Sequence, residues 1–555
     1  MRLEIRKEKR SLTQNSVEKN YFTTQPFYQP GREDRCLADL RVTDPRHDKT
    51  RIELTKGGLL KDSYRWILDN PDFQRWRDDQ DQGSRLLWIH GDPGKGKTML
   101  ICGIIDELHS TSGDSDGSLL SYFFCQGTDS RINNATAVLR GLIYMLVDQQ
   151  QSLMPHLRKK YDHAGKALFE DANAWVALSN IFANILQDPS LRMAYLIIDA
   201  LDECVTDLRQ LLNLIDQNSA SSCVKWILSS RNSVDLEQRL RVDESGIKLS
   251  LELKENAYKV SEAVNTYIDH CVSNLVVTRG DKVLEDKIRH KIQQKADGTF
   301  LWVSFVIEEL RDVMSWDVLQ TADEMPLGLK GIYRRMLKQI YQLKHGNLEI
   351  CRRVLSIVTT AYRPLHLQEL CVLSDLPLEA SRVQSVEIIV RMCGSFLTIR
   401  DDIVYVIHQS AKDFLCEDED SNIFTHGVGA VHHTLFSRSV KVLSETLRCD
   451  MYDLQHPGFP INKVITPNPD PLAAARYSCL YWVDHLIDCG IRGNAINNIE
   501  DISLVYNFLS KSYLYWLEAL SLMKSLPDSI VMITKLENIQ VNFSTLFDYI
   551  IRKTY

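Results

Sequence analysis

Apolar positions along this chain fall into two regimes. In the first, short unbroken apolar runs alternate with longer stretches of helical period. The runs Leu86 to His90, Leu119 to Phe124, Tyr195 to Ile198 and Val224 to Leu228 predict strands, and the segments from Lys97 to Leu108 and from Ala135 to about Leu186 predict helices. Strands without polar alternation are buried on both faces, so strands separated by helices predict a parallel α/β sheet. Ahead of it, Leu59, Leu60, Tyr64, Trp66, Ile67, Phe73 and Trp76 recur at roughly helical spacing, split by Asn70-Pro71 into two short helices. In the second regime, beyond about Asn256, the period is helical with one interruption. Phe396 to Arg400 and Ile403 to Ile407 flank Asp401-Asp402 as the arms of a β-hairpin would, and helices with one hairpin suit a winged-helix module.

The remaining stretches mark connections and ends. Ser110 to Ser118 reads as a loop, and its Asp114-Ser-Asp-Gly117 piece lacks the spacing and terminal Glu of a calcium loop. His456 to Pro471, with five prolines, predicts an irregular connection. Leu480 to Leu486 and Leu514 to Leu520 are similar segments 34 apart; a solenoid needs more than two copies, so paired core helices are the expectation. The pattern divides the chain into a flexible tail at 1–45, a helical lead-in at 46–83, an α/β domain at 84–245, a small helical domain at 246–325, a winged-helix domain at 326–425 and a C-terminal helical domain at 426–555.

Composition narrows the partners. The 555 residues exceed what one core can serve, and 44% hydrophobic with 25% charged residues is an ordinary globular balance. A net charge of −8 argues against a nucleic-acid backbone as bulk partner. The 13 cysteines are odd in number, with no pair closer in sequence than Cys479 and Cys489, so they read as reduced thiols of an intracellular protein. The charged start Met1 to Arg10 has no apolar run, and no stretch approaches about 18 apolar residues. A cytoplasmic protein without a membrane span is the expectation.

Candidate chemistry begins at Gly91-Asp92-Pro93-Gly94-Lys95-Gly96-Lys97-Thr98, which fits GxxxxGK[ST] and lies between an apolar strand and a helix start. Glycines at 91, 94 and 96 let the backbone wrap a phosphate chain with N–H groups inward, where the helix dipole adds attraction; Met99 completes the expected lining. Lys97 is expected to reach the β- and γ-phosphates and Thr98 to ligate Mg²⁺, so ATP/ADP or GTP/GDP with Mg²⁺ are the cofactors implied, no base-specific motif deciding between them. Tyr195-Leu-Ile-Ile-Asp199-Ala-Leu-Asp202-Glu203 is an apolar strand ending in carboxylates, the form of a Walker B element. Asp199 would hold Mg²⁺ through water, and Asp202 and Glu203 could each polarise or deprotonate the attacking water. Arg231, at the end of the run from Val224, could sense the terminal phosphate or stabilise charge during its transfer, or be an ordinary surface arginine.

Together with Thr55-Lys-Gly-Gly-Leu-Leu-Lys-Asp-Ser-Tyr64-Arg-Trp66-Ile67, Ser229-Ser-Arg-Asn232, Gly298-Thr-Phe-Leu-Trp302 and His408-Gln-Ser-Ala-Lys-Asp-Phe-Leu415, these motifs resemble the NACHT-type NTPases of the STAND group. The narrower resemblance is to the fungal NLR-like branch that includes heterokaryon-incompatibility proteins, and it runs from about Asp44 onward. It implies an α/β P-loop NTPase with a parallel sheet, followed by a helical domain, a winged helix and a C-terminal helical domain. It also implies closure around ADP at rest, with ATP exchange opening the molecule and driving self-association, and a slow NTPase serving innate-immunity or incompatibility signalling. His408 matches the winged-helix His that contacts the β-phosphate in the closed state, and Gly298-Thr-Phe300 stands roughly where relatives often carry a Pro packed on the base. Relatives usually continue into repeats and many begin with an effector domain; neither is expected here, which leaves protein partners unknown. An active ATPase that remodels a partner protein and a truncated, non-switching decoy are the competing readings.

Overall fold

The computed structural model describes residues 32–538 apart from 79–83, 112–116, 172, 220–222, 233, 241–247, 277–279, 344–345, 375, 377–382, 418–420, 457 and 490–498. The expected tail up to residue 31 and most of the loop containing Asp114 lie outside the described residues. The apolar runs form a parallel sheet of β1 (Leu86–His90), β2 (Ser118–Phe124), β3 (Met193–Asp199), β4 (Val224–Ser230) and β5 (Lys248–Glu252), in the order β2-β3-β4-β1-β5. Every residue of β1 and β4 is buried, which is why both lack polar alternation. Because β4 lies between β3 and β1, the loop after β1, the carboxylates after β3 and Arg231 after β4 all emerge along one edge.

Three expectations need correction. The sheet has a fifth strand inside the stretch assigned to the small helical domain; Lys248-Leu-Ser-Leu-Glu252 alternates between half-buried and buried positions at the sheet edge and lacks a continuous apolar run. Within the expected tail, Arg32–Leu40 is a helix whose Cys36 and Leu40 are fully buried. Two apolar positions one turn apart are too faint a period to read. The helix end is fastened by Arg140, which donates to the carbonyls of Leu40 at 2.6 Å and Asp39 at 2.8 Å. Finally, the small helical and winged-helix segments share one apolar core, in which Val264, Trp302, Tyr333, Val404 and Phe414 are all buried.

The winged helix contains β6 (Leu365–His366), β7 (Leu397–Arg400) and β8 (Ile403–Val406) in an antiparallel sheet of order β6-β8-β7. Asp401 at φ 49° and Asp402 at φ 61° both take the left-handed conformation that a two-residue hairpin turn requires. In the C-terminal region the two similar segments meet in one core. Trp482 on the helix Arg476–Asp488 and Trp516 on Ile499–Leu522 stack edge-on at 5.7 Å, and Trp516 Nε1 donates to the Cys479 carbonyl at 3.0 Å. All cysteines are free thiols, and no described helix is long and apolar enough to cross a membrane.

Removing the Trp482 ring leaves a void among Phe436, Phe508 and Trp516. Trp482→Ala is expected to destabilise the C-terminal region by about 3–5 kcal/mol, read from urea unfolding followed by tryptophan fluorescence. An unchanged midpoint would show that this cluster does not hold the region together.

Candidate functional site

The loop Gly91–Gly96 carries the chain from β1 into the helix Lys97–Thr111. Gly94 at φ 77° and Gly96 at φ 87° are left-handed. A Cβ on Gly96 would stand 2.8 Å from the Phe300 ring, and one on Gly94 would stand 2.8 Å from Thr299 Cγ2. Glycine is therefore needed twice over, for conformation and because the segment opening the helix Phe300–Arg311 lies directly on the loop. Lys95 Nζ donates to the Asp297 carbonyl at 2.5 Å, tying the same two segments. Lys97 Nζ donates to the carbonyls of Gly91 at 2.6 Å and Asp92 at 3.0 Å. Burial holds the Lys97 ammonium down to about 8, against the pull of Asp202 and Asp199.

Asp199 ends β3 almost wholly buried. Burial raises its pKa, while the hydroxyls of Ser229 and Thr98 donate to the carboxylate and oppose the rise. The next residue, Ala200, is left-handed at φ 54°, a strained conformation for a residue with a Cβ, and its N–H is held by Ser229 Oγ at 2.9 Å. This turn delivers Asp202 and Glu203 on a short 3-10 helix. Asp202 accepts from the Arg231 main-chain N–H at 2.9 Å and faces Arg231 Nε at 3.1 Å. Glu203 accepts from the Gly127 N–H at 2.8 Å. Burial pushes its carboxyl up to about 7, with Asp202 adding to the rise and the Gly127 and Arg231 contacts opposing it.

These groups border a cavity of about 320 Å³, within the size range of small-ligand pockets. Lys56, Tyr64, Phe300, Glu308, Arg400 and His408 contribute to its other walls. His408 follows β8, and its Nδ1 accepts from the Ser410 N–H at 3.1 Å, with Ser410 Oγ at 2.7 Å. The ring proton then sits on Nε2. Burial, together with the charges of Lys56, Arg231 and Lys97, holds His408 down to about 3, so it is a neutral donor at physiological pH.

Of the residues singled out from sequence, Pro93, Gly94, Lys95, Gly96, Lys97, Thr98, Met99, Asp199, Asp202, Glu203, Arg231 and His408 line this cavity. Gly91 and Asp92 instead present their carbonyls to Lys97. Sequence reasoning missed Lys56 and Arg400 in the wall. It also missed Gln409 and Asp413, whose side chains bond to each other at 2.9 Å beside Arg231. The spacing of Gln409 and Asp413, one helical turn apart just after His408, was the available signal. The donor set fits a nucleotide with a hard cation: loop amides and Lys97 would face phosphate, and Thr98 and Asp199 would supply oxygen ligands to Mg²⁺.

The raised Glu203 pKa has a measurable sign. A carboxyl that binds its proton more tightly when folded contributes stability that is fully present below its unfolded pKa near 4.5 and is lost as pH rises through about 7. Glu203→Gln stays neutral throughout. Between about pH 5 and pH 7.5 the parent should therefore lose roughly 1–3 kcal/mol relative to the variant in urea unfolding. Parallel pH profiles would show that Glu203 ionises as an ordinary carboxylate.

Two families match in sequence: Nephrocystin 3, N-terminal, over residues 62–231, and the winged helix domain of GPI inositol-deacylase over residues 337–425. The chain is 51% identical over 528 residues to Vegetative incompatibility protein HET-E-1 of Podospora anserina, a match covering 92% of this chain and 38% of that protein. It thus spans well under half the length of that relative. Among solved structures, the Walker-type ATPase of Pyrococcus abyssi is 13% identical with a TM-score of 0.29, covering 62% of this chain and 94% of that one. The ORC2 protein of Aeropyrum pernix is 12% identical with a TM-score of 0.30, covering 66% and 92%. Likeness at that level decides nothing about this chain, whose fold rests on its own sheet order and domains. With its α/β P-loop core, winged helix and helical C-terminal region, and its long match to an incompatibility protein, the chain belongs to the fungal NACHT-type STAND NTPases of the heterokaryon-incompatibility kind.

Proposed function

We propose that this chain is a nucleotide-controlled switch that binds a purine nucleoside di- or triphosphate with Mg²⁺ and hydrolyses the triphosphate slowly. The observation that carries this reading is that the P-loop and His408 of the winged helix line one cavity, so a bound nucleotide would touch both domains at once. A ligand that contacts two domains biases their arrangement by its differential affinity for the docked and undocked forms.

In this reading Lys97 and the loop amides hold the β- and γ-phosphates, and Thr98 and Asp199 carry the cation. Bound Mg²⁺ would neutralise phosphate charge during transfer. Asp202 and Glu203 are the groups able to orient or deprotonate a water. Asp202 is engaged by Arg231, and Glu203 is tied to Gly127 with its carboxyl near 7. Neither is a free base in the docked arrangement, which supports slow turnover. His408, neutral and protonated on Nε2, would donate to the β-phosphate only while the winged helix is docked. Self-association on undocking and a signalling role in incompatibility belong to the same proposal, motivated by the relative's printed name.

Lys97→Ala is expected to cost about 1.5–3 kcal/mol of nucleotide binding, one to two decades in affinity by calorimetry, with folding intact. Unchanged affinity would remove the nucleotide reading. His408→Leu is expected to weaken ADP about tenfold more than ATP, the worth of one charge-assisted hydrogen bond, and to raise the self-associated fraction in light scattering. Equal losses for both nucleotides with unchanged mass would mark His408 as structural.

A further inference from the structure

A second cavity, of about 510 Å³, shares no residue with the nucleotide cavity and lies between the sheet domain and the C-terminal helices. One wall is the start of the helix Ala135–Gln149 together with Lys166 and Glu170. The other is the turn Met523–Asp528, which joins the helices Ile499–Leu522 and Leu526–Asn538. Four cations, Arg131, Arg140, Lys166 and Lys524, border it against two carboxylates, Glu170 and Asp528. In a chain of net charge −8 this is a local excess of positive charge.

The fold leaves much of that excess unanswered. Lys166 and Glu170 pair with each other at 2.7 Å, and Asp528 stands in the first turn of its own helix, where the dipole favours a carboxylate. Arg131 gives Nε and Nη2 to Asp129, and its Nη1 has no partner among the described residues. Arg140 is the least compensated. Its bonds go to the carbonyls of Leu40 at 2.6 Å, Asp39 at 2.8 Å and Phe169 at 3.5 Å, while the Asp39 carboxylate takes Tyr161 OH at 2.5 Å. A half-buried guanidinium is thus left with N–H groups to spare and no carboxylate bonded to it among the described residues. Burial lowers its pKa, against the opposing charges of Glu170 and Asp39. One turn earlier, Asn134 Oδ1 caps the Ala137 N–H and the Thr206 carbonyl takes that of Ala135, so the Thr136 N–H in the same wall has no partner among the described residues. Across the cavity, Lys524 ends its helix in the left-handed conformation at φ 60°, with the Ser525 N–H on the Leu520 carbonyl at 2.8 Å. Glycine is the usual occupant of such a position, and the lysine there brings an ammonium that has no counter-ion among the described residues.

We propose that this cavity binds a small soluble anion carrying two or more phosphate groups, at a site separate from the nucleotide. Arg140 and the Thr136 amide would hold one phosphate from the sheet-domain wall, and Lys524 with Arg131 would meet another. Phosphate oxygens accept charge-assisted bonds from guanidinium, ammonium and helix-start amides alike, whereas an apolar or cationic occupant would leave Arg140 uncompensated. Because its walls come from two regions, the occupant fastens the C-terminal helices to the sheet domain. The inference goes beyond the nucleotide reading and stands without it.

The full chain carrying Lys97→Ala, which removes the P-loop as a competing anion site, is the reference for calorimetric titration with tripolyphosphate and with inorganic phosphate. One saturable site is expected, with tripolyphosphate bound about tenfold or more tightly than phosphate, since it alone can span the cations of both walls. Adding Lys524→Glu or Arg131→Glu should weaken tripolyphosphate by about tenfold or more, and Lys524→Arg should leave it within about twofold. Lys524→Gly separates binding from structure. It removes the charge but suits the left-handed backbone, so affinity should fall by about five- to tenfold while the urea midpoint holds or rises. No binding in the reference, equal affinity for the two anions, or an affinity unmoved by both charge reversals and by Lys524→Gly would overturn the proposal. Vesicles containing phosphatidylinositol bisphosphate should not sediment the chain; sedimentation abolished by Lys524→Glu would make the ligand a lipid headgroup and overturn the soluble assignment.

Discussion

Buried charge must be compensated, and the edge formed by β1, β3 and β4 buries a great deal of it. Asp199, Asp202, Glu203, Lys97 and Arg231 lie within one small and largely buried region, where an unpaired ion would cost several kcal/mol. The molecule answers in two ways. Asp202 and Arg231 pair directly, while Lys97 and Glu203 are both moved toward neutrality, to about 8 and about 7. Sheet order makes this possible: with β4 between β3 and β1, the Arg231 main chain and side chain fall beside the carboxylates that end β3. Had β3 and β1 been neighbours, Arg231 would stand a strand's width further off, and Asp202 would lose its partner.

The domains around this edge are joined to it by short-range contacts. Thr299 and Phe300 sit on glycines that admit no side chain, so the helical region and the P-loop cannot shift past each other without opening that contact. The segment after β2 makes a second link. Gly127 donates to Glu203, and three residues later the Ser130 N–H donates to the Tyr362 carbonyl at 3.0 Å while Ser130 Oγ meets Tyr481 OH at 3.0 Å. One short stretch thus touches a candidate catalytic carboxylate, the winged helix and the C-terminal helices. Packed interfaces of this kind rearrange between discrete states rather than deforming smoothly.

What was legible in the sequence follows from where the physical signal lies. β1 and β4 are buried on both faces and β3 is buried over its last four residues, so all three announce themselves as apolar runs; the loop and the strand-end carboxylates are read from spacing alone. β5 and β6 escaped because one is an alternating edge strand and the other is two residues long. The helix Pro45–Thr55 was readable in principle, since Asp44 caps it and Pro45 occupies its first turn, yet its weak apolar period hid it. The site was legible in its local half only. Lys56, Arg400, Gln409 and Asp413 reach the cavity edge or Arg231 through tertiary packing across hundreds of positions, and no local pattern encodes such a meeting. Arg400 illustrates this: from β7 its Nη1 donates to Thr55 Oγ1 at 3.0 Å, closing the wing against the lead-in.

His408 shows why a histidine, rather than a lysine or arginine, suits that wall. Lys56, Arg231 and Lys97 already surround the position, and a further fixed cation would repel them and resist docking of the winged helix in the absence of an anion. A neutral imidazole adds a directed donor without adding charge. Its tautomer is set by the chain itself, because the Ser410 N–H occupies Nδ1, and Ser410 Oγ is in turn bonded to the buried Tyr333 hydroxyl at 2.8 Å. The ring is therefore oriented by the same helix start that begins the Gln409–Asp413 contact, so one rigid turn carries both the donor facing the cavity and the carboxylate facing Arg231. Two contacts borne on a single turn form and break together, so in the proposed switch a nucleotide at this cavity would meet a two-state element rather than a graded one.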